Sequence, residues 1–175
     1  MIDLIKSRHS YRGSFQPQPV PRADLIKILE AGLAAPSGCN KQTTSLIAID
    51  DPQVLAQIWK VMTAPISHTA PALIAVLAQK IVSYRDKTYY VQDYSAAIEN
   101  MLLAIKALGY ESCWVEGQVT EDADMVQAIN GILHIPADYH LVCLLPVGIA
   151  TDEVKLVAKK PFEERAWFNG FMKKD

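Results

Sequence analysis

Apolar residues recur along much of this chain with the spacing that marks amphipathic helices. This spacing predicts helices over residues 2–7, from Pro21 onward, over 52–62 and over 91–108, and Gly109 is suited to end the last in a left-handed conformation. Thr120 is placed to cap a further helix over 122–130, which Gly131 would end. The residues expected on the buried helical faces are Leu25, Ile28, Leu29, Gly32, Leu55, Ile58, Trp59, Met62, Tyr94, Ile98, Met101, Leu102, Ile105 and Leu108.

Short apolar runs between these helices predict buried strands. Ala72–Ala78 is apolar throughout, as expected of a central strand, and shorter runs occupy 46–49, 113–115 and 141–147. Strands interleaved with helices indicate layers of helix and sheet in one domain over residues 1–175, with no repeat or linker. A dinucleotide-binding Rossmann topology is not indicated. The chain has no Gly-x-Gly-x-x-Gly, and Gly109 and Gly117 flank a strand and do not open a helix.

The charge composition bears on whether this protein binds nucleic acid or smaller anions. The 175 residues carry a net charge of -2 with a pI near 6.1, so no general basic surface for nucleic acid is expected. Basic residues do gather near both ends, in Lys6, Arg8 and Arg12 and in Lys155, Lys159 and Lys160. They form either one anion site built from both ends or ordinary surface charge.

Cysteine, histidine and hydropathy patterns favour a cytoplasmic protein without metal or membrane partners. Cys39, Cys113 and Cys143 are odd in number and have no close pairs, which is typical of reduced thiols, and Cys143 lies in an apolar strand pattern. No signal peptide is expected, and no apolar run approaches the roughly 20 residues of a membrane helix. The four histidines show no metal-ligand spacing to one another or to a cysteine.

Three polar segments carry the candidate chemistry. Arg8, Ser10 and Arg12 are spaced i, i+2 and i+4, so in an extended segment they project to one side, where guanidinium forks suit a phosphate. The segment 36–42 connects a helix to a strand and is rich in hydrogen-bonding side chains. The third segment, 114–117, lies at the end of a predicted strand and contains a tryptophan, a glutamate and a glycine.

The three segments resemble, in the same order, the motifs of the FMN-dependent nitroreductase family. They read Arg-x-Ser-x-Arg, Ala-Pro-Ser-x-x-Asn-x-Gln and Trp-Val-Glu-Gly. The resemblance covers nearly the whole chain. It implies an α+β fold with a central mixed sheet flanked by helices, built as an intertwined homodimer. The family loop usually continues with Pro-Trp, whereas this chain has Thr43-Thr44.

The resemblance also implies which residues bind the cofactor. The N-terminal segment would hold the FMN phosphate and the pyrimidine edge of the flavin, although Arg12 could equally form a structural salt bridge. The backbone of 115–117 would lie near the flavin N5, with Gly117 permitting close approach, and the Glu116 carboxylate would be mainly structural. A basic residue of the tail, with Lys160 the better positional match, would reach the phosphate. The complete candidate set is Arg8, His9, Ser10, Arg12, Pro36, Ser37, Gly38, Asn40, Gln42, Trp114, Val115, Glu116, Gly117, Lys159 and Lys160.

The implied activity is that of an FMN-dependent NAD(P)H oxidoreductase. Hydride would pass from NADH or NADPH to a nitroaromatic, quinone or similar acceptor in a ping-pong cycle. The flavin performs this chemistry, so no catalytic side chain is required. Two alternatives stay open: a specialised flavin enzyme such as a reductive dehalogenase, with residues 79–92 as a lid, and a non-catalytic flavin-binding module.

Two clusters of aromatic residues could each serve one of two roles. Tyr84, Tyr89 and Tyr90 could stack on an aromatic substrate or form a dimer contact. The C-terminal segment with Trp167 and Phe168 could pack on its own domain or on a partner subunit.

Overall fold

The computed structural model describes residues 1–62, 68–154 and 157–171. Its helices are α1 (Ile2–Ser7), α2 (Arg22–Leu33), α3 (Pro52–Val61), α4 (Tyr90–Ala107), α5 (Gly117–Glu121) and α6 (Ala123–Ile132). Its strands are β1 (Thr44–Ile49), β2 (Ala72–Ala78), β3 (Val82–Tyr84), β4 (Lys87–Thr88) and β5 (His140–Val147). Short 3-10 turns occupy Gly38–Asn40 and Phe162–Glu164. The four predicted helices α1 to α4 and the predicted strands β1, β2 and β5 are confirmed, with bounds that differ by two residues or fewer.

The strand β2 is the centre of the main sheet, which has the order β1-β2-β5. Both pairings are antiparallel, with Ala75 opposite Ile47 on one side and opposite Leu144 on the other. All seven residues of β2 are buried, because helices cover both faces of the sheet. The predicted α+β class is confirmed, whereas every pairing between described strands is antiparallel and not mixed in direction.

Alternate residues of β2 supply two separate hydrophobic layers, as the two-residue period of a strand requires. One layer contains Ile74 and Val76 and packs against α2 and α4; the other contains Leu73 and Leu77 and packs against α3 and α6. The buried Cys143 of β5 belongs to the first layer, where burial raises the pKa of its thiol well above the usual range. A helix–sheet–helix sandwich results.

Helix α4 is the long element from which the polar segments are positioned. It packs against α2 so closely that a Cβ atom on Gly32 would lie 2.8 Å from the Met101 side chain. The Asn100 amide donates a hydrogen bond of 3.1 Å to the Ala31 carbonyl. Gly109 ends this region with a φ of 85°, as predicted.

Several short elements differ from the predictions. Residues 113–115 form no strand; Val115 makes a single bridge to Leu144. Gly117 begins α5, so it does open a helix. Asp122 caps α6, because its carboxylate accepts the Met125 N–H at 2.9 Å, while Thr120 lies inside α5 and bonds the Gly117 carbonyl at 2.9 Å. Helix α6 continues through Gly131 to Ile132.

The expected lid segment folds partly as a hairpin. Strands β3 and β4 pair antiparallel, and the turn between them contains Arg85 with a φ of 54°. The hairpin leads directly into the first turn of α4. The predicted basic residue Lys155 lies outside the described residues. No described helix combines the length and apolar character needed to cross a bilayer.

Candidate functional site

The two ends of the chain meet at a cavity of about 230 Å³. The extended segment after α1 forms one wall, and the tail forms the other. Lys6, Arg8, His9, Ser10, Arg12, Val157 and Lys159 line it. Among the described residues, this lining includes Lys159 and omits Lys160, although Lys160 is the better match to the family motif. The cavity therefore gathers basic side chains and a hydroxyl, with no acidic residue in its described lining.

Arg8 and His9 also have partners inside the chain. The Arg8 Nε atom lies 3.1 Å from the Glu99 carboxylate of α4. The His9 Nε2 atom lies 2.9 Å from the Glu111 carboxylate, which also accepts a bond of 2.6 Å from Lys106. Arg12, in contrast, forms no ion pair with any described residue. The salt-bridge alternative for Arg12 thus has no partner in the described part of the chain.

The segment 36–42 is a tight loop with an unusual backbone. Cys39, Asn40 and Gln42 have φ values of 50°, 53° and 49°, a left-handed conformation that costs energy for residues other than glycine. Within the loop, the Gln42 N–H donates to the Ser37 hydroxyl at 2.9 Å. The loop shape must therefore be held by its surroundings.

Gly38, a candidate cofactor-binding residue, also has a structural role inside the chain. Its N–H donates to the Asp93 carboxylate at 2.8 Å, and a Cβ atom at this position would lie 2.9 Å from the Tyr89 side chain. Gly38 thus permits close packing of the loop on the start of α4.

A second cavity, of about 210 Å³, lies between this loop and helices α2 and α4. Pro36, Ser37, Gln42, Thr44 and Asp93 line it together with Gly32, Leu33, Ala35 and Ala97. Thr44, which stands where the family usually has tryptophan, is therefore part of the cavity wall. Thr43 is fully buried. The predicted loop residues Gly38 and Asn40 are not in this lining.

The third segment is fixed to α4 through Glu116. The Glu116 carboxylate accepts the Trp114 indole N–H at 2.7 Å and the Tyr94 hydroxyl at 2.9 Å. Burial, and then the bond to Glu116, raise the pKa of Tyr94 to about 12, so the hydroxyl keeps its proton and remains a donor at neutral pH. Both carboxylate oxygens are thus engaged. Gly117 is exposed, and nothing lies within 4 Å of where its Cβ would be.

Helix α4 contacts all three polar segments, through residues that the sequence analysis did not name as site residues. Glu99 meets Arg8, Asp93 meets the loop, and Tyr94 meets Glu116. Tyr94 was expected only as an apolar core residue. Asp93 could have been noticed, because it lies four residues before Ala97 and eight before Met101, on the helix face expected to be buried. Among the described residues, no group of His, Cys, Asp and Glu side chains is placed to hold a metal ion.

Comparisons with known proteins identify the family of this chain. The chain matches the sequence profile of the nitroreductase family over residues 5–67 and 56–149. It is 31% identical, over 87% of its length and 86% of the relative's, to an Archaeoglobus fulgidus protein with the provisional name NADH dehydrogenase/NAD(P)H nitroreductase.

Two solved structures share the fold along nearly the whole chain. One is an FMN-dependent nitroreductase from Clostridium difficile R20291, with 27% identity and a TM-score of 0.80 over 98% of this chain and 100% of that one. The other, from Desulfovibrio desulfuricans, is provisionally named a nitroreductase and was solved in complex with FMN. It has 25% identity and a TM-score of 0.78 over 97% of this chain and 96% of that one. Because the family profile matches more than half of the chain, the protein belongs to the nitroreductase family.

Proposed function

We propose that this FMN-dependent NAD(P)H oxidoreductase works by a ping-pong cycle, in which NADH or NADPH and a nitroaromatic, quinone or similar acceptor use one pocket in turn. The basic cavity between the two chain ends is the main observation that supports a site for the FMN phosphate. Lys6, Arg8, Arg12 and Lys159 line it beside the Ser10 hydroxyl, a donor set that suits a phosphate dianion.

The residues present fit FMN in the following way. Arg8, Ser10, Arg12 and Lys159 would hold the phosphate, and the loop 36–42 and the backbone of 115–117 would contact the ring system. When bound, FMN supplies the acceptance and donation of hydride. The protein contributes binding and orientation. Glu116 would not supply a proton, because both of its oxygens already accept bonds from Trp114 and Tyr94.

We further propose that the working molecule is a homodimer and that each flavin site uses both chains. The basic cavity and the loop cavity share no lining residue, so the single chain presents them as two separate cavities. Phe162, Phe168 and Phe171 are 59%, 78% and 78% exposed. Such an aromatic patch is typical of a surface that another chain covers.

The direct test is the cofactor content of the purified protein. We expect heat-released cofactor to co-elute with FMN, and anaerobic addition of NADH or NADPH to bleach the flavin absorbance. Release of FAD, or a colourless protein that binds neither flavin, would contradict the proposal. Retained FMN with no oxidation of either nicotinamide would instead favour a non-catalytic flavin-binding module.

Replacing Gly117 with valine tests the placement of the backbone of 115–117. The space beside Gly117 is open in the chain alone, so Gly117→Val is expected to leave the stability of flavin-free protein unchanged. If the flavin lies there, the added side chain should weaken FMN binding by roughly tenfold or more. Gly131→Val is the matched control, because Gly131 has equally open surroundings and lies in α6. Equal FMN affinity in both variants, measured by fluorescence titration, would show that the flavin lies elsewhere.

A further inference from the structure

We propose that Asp93 is a positioning residue for the cofactor, which holds the Ser37–Gln42 loop in its binding shape from the first turn of α4. This inference rests on the proposed function, since it assumes that the loop contacts FMN. Asp93 is not among the residues that the family motifs select. Asp93 also lines the loop cavity, but both of its carboxylate oxygens bond to the chain, to Gly38 and Thr43, so it acts through the loop and not on the reacting atoms.

The two oxygens of the Asp93 carboxylate bind both ends of the loop. Oδ1 accepts the Gly38 N–H at 2.8 Å, and Oδ2 accepts the Thr43 hydroxyl at 2.7 Å. Between these two contacts lie Cys39, Asn40 and Gln42, the residues in the left-handed conformation. The strained part of the loop is therefore closed at each end by the same carboxylate. Strain of this kind persists only where the surroundings enforce it.

The Asp93 carboxylate is buried, which carries a desolvation cost. Asp93 is only 4% exposed and Thr43 is fully buried. Across the described ranges 1–62, 68–154 and 157–171, no Lys or Arg forms an ion pair with Asp93. A buried carboxylate without a cation is unfavourable, and here it is stabilised by two hydrogen bonds and by its place in the first turn of α4, where the helix dipole favours negative charge.

The shape that Asp93 enforces determines which groups face the cavity. Pro36, Ser37 and Gln42 line the cavity of about 210 Å³ with Asp93 itself. Loss of the carboxylate would release Gly38 and Thr43 together and allow the left-handed residues to relax. The polar groups of the loop would then lose the positions that a flavin ring requires, while the sheet and helices stay intact.

The experiment compares three variants of the full-length protein. Asp93→Ala removes both contacts. Asp93→Asn keeps the shape, because its amide oxygen can accept the Gly38 N–H and its NH₂ can donate to the Thr43 oxygen after the hydroxyl rotates. Asp51→Ala is the matched control: Asp51 caps α3 by accepting the Gln53 N–H at 2.7 Å, and it lies in neither of the two cavities. Each variant is assayed for FMN affinity by fluorescence titration, for visible circular dichroism of bound flavin, and for urea stability without flavin.

We expect Asp93→Ala to weaken FMN binding by roughly tenfold to a hundredfold, the range for hydrogen bonds to a charged group, and to change the flavin dichroism. Asp93→Asn should restore affinity to within about threefold of wild type, a difference smaller than one ordinary hydrogen bond. Asp51→Ala should lower urea stability and leave FMN affinity unchanged.

Wild-type affinity and dichroism in Asp93→Ala would overturn the inference. So would a loss in Asp93→Asn as large as that in Asp93→Ala, or an equal loss in Asp51→Ala, since the effect would then reflect charge or global stability. If Asp93→Ala does not fold, Thr43→Val removes one contact alone and should weaken FMN binding by roughly threefold to tenfold. Unchanged affinity there overturns the inference too. Failure of wild-type protein to bind FMN refutes the proposed function separately.

Discussion

Arg8→Ala is expected to weaken FMN binding by roughly tenfold to a hundredfold, because a charge-assisted contact to phosphate contributes about 1.5–3 kcal/mol. Arg8 lines the basic cavity, and its side chain is only 22% exposed, so water screens this contact less than it would on an open surface. Flavin fluorescence titration measures the change. Wild-type affinity in Arg8→Ala would show that the phosphate does not bind at the N-terminal segment.

Two further variants separate the phosphate contact from general effects of removing an arginine. Arg22→Ala removes an arginine whose side chain is 81% exposed and paired with Asp50, away from the cavity, and should leave FMN affinity unchanged. Glu99→Gln removes the carboxylate that competes with phosphate for Arg8. It should bind FMN at least as tightly as wild type. Weaker binding in Glu99→Gln would mean that the ion pair orients Arg8 and does not compete with the cofactor.

Deletion of residues 162–175 is expected to give a monomeric or aggregated protein that has lost FMN. Phe162, Phe168 and Phe171 are exposed in the single chain, so their removal exposes little of the chain's own core. Trp167, which the deletion also removes, is half-buried, so the contribution expected from a partner subunit is that of the three phenylalanines. Each aromatic side chain that becomes fully buried there contributes roughly 1.5–3 kcal/mol, a large share of the stability of a typical domain.

Light scattering together with flavin absorbance decides the outcome of this deletion. A shorter deletion of residues 172–175 is the control, because it keeps Trp167 and all three phenylalanines, and it should leave oligomeric state and flavin content unchanged. A folded monomer of the longer deletion that retains one FMN per chain would show that each subunit builds its own site.

Long periodic segments made most of the fold predictable from the sequence. Helix α4 spans five turns of regular apolar spacing, and β2 is apolar throughout, so tertiary packing and local pattern agree there. The short elements lack this redundancy. Helix α5 has five residues and begins at a glycine, and β4 has two exposed residues. At the start of α6 the sequence analysis assigned the cap to Thr120, whereas the carboxylate of Asp122, a stronger acceptor, caps the helix.

The candidate site was predictable only where its residues form local motifs. Arg8, Ser10 and Arg12 were selected by their spacing, and the gathering of basic residues at both chain ends corresponds to the cavity that contains Arg8 and Lys159. Asp93 and Glu99 were missed because their partners lie far away in sequence. Residue spacing and composition do not indicate contacts between distant parts of the chain. These contacts form only when α4 packs against the loop and α1.

During synthesis, strand β2 leaves the ribosome long before β5, one of its two neighbours in the sheet. Strand β1 precedes it, but β5 follows only after α4, α5 and α6 have been made. During that interval seven apolar residues present an open strand edge, which favours pairing with other unfinished chains. Pairing with β5 removes this open edge of β2, so the hazard at β2 is confined to the incomplete chain.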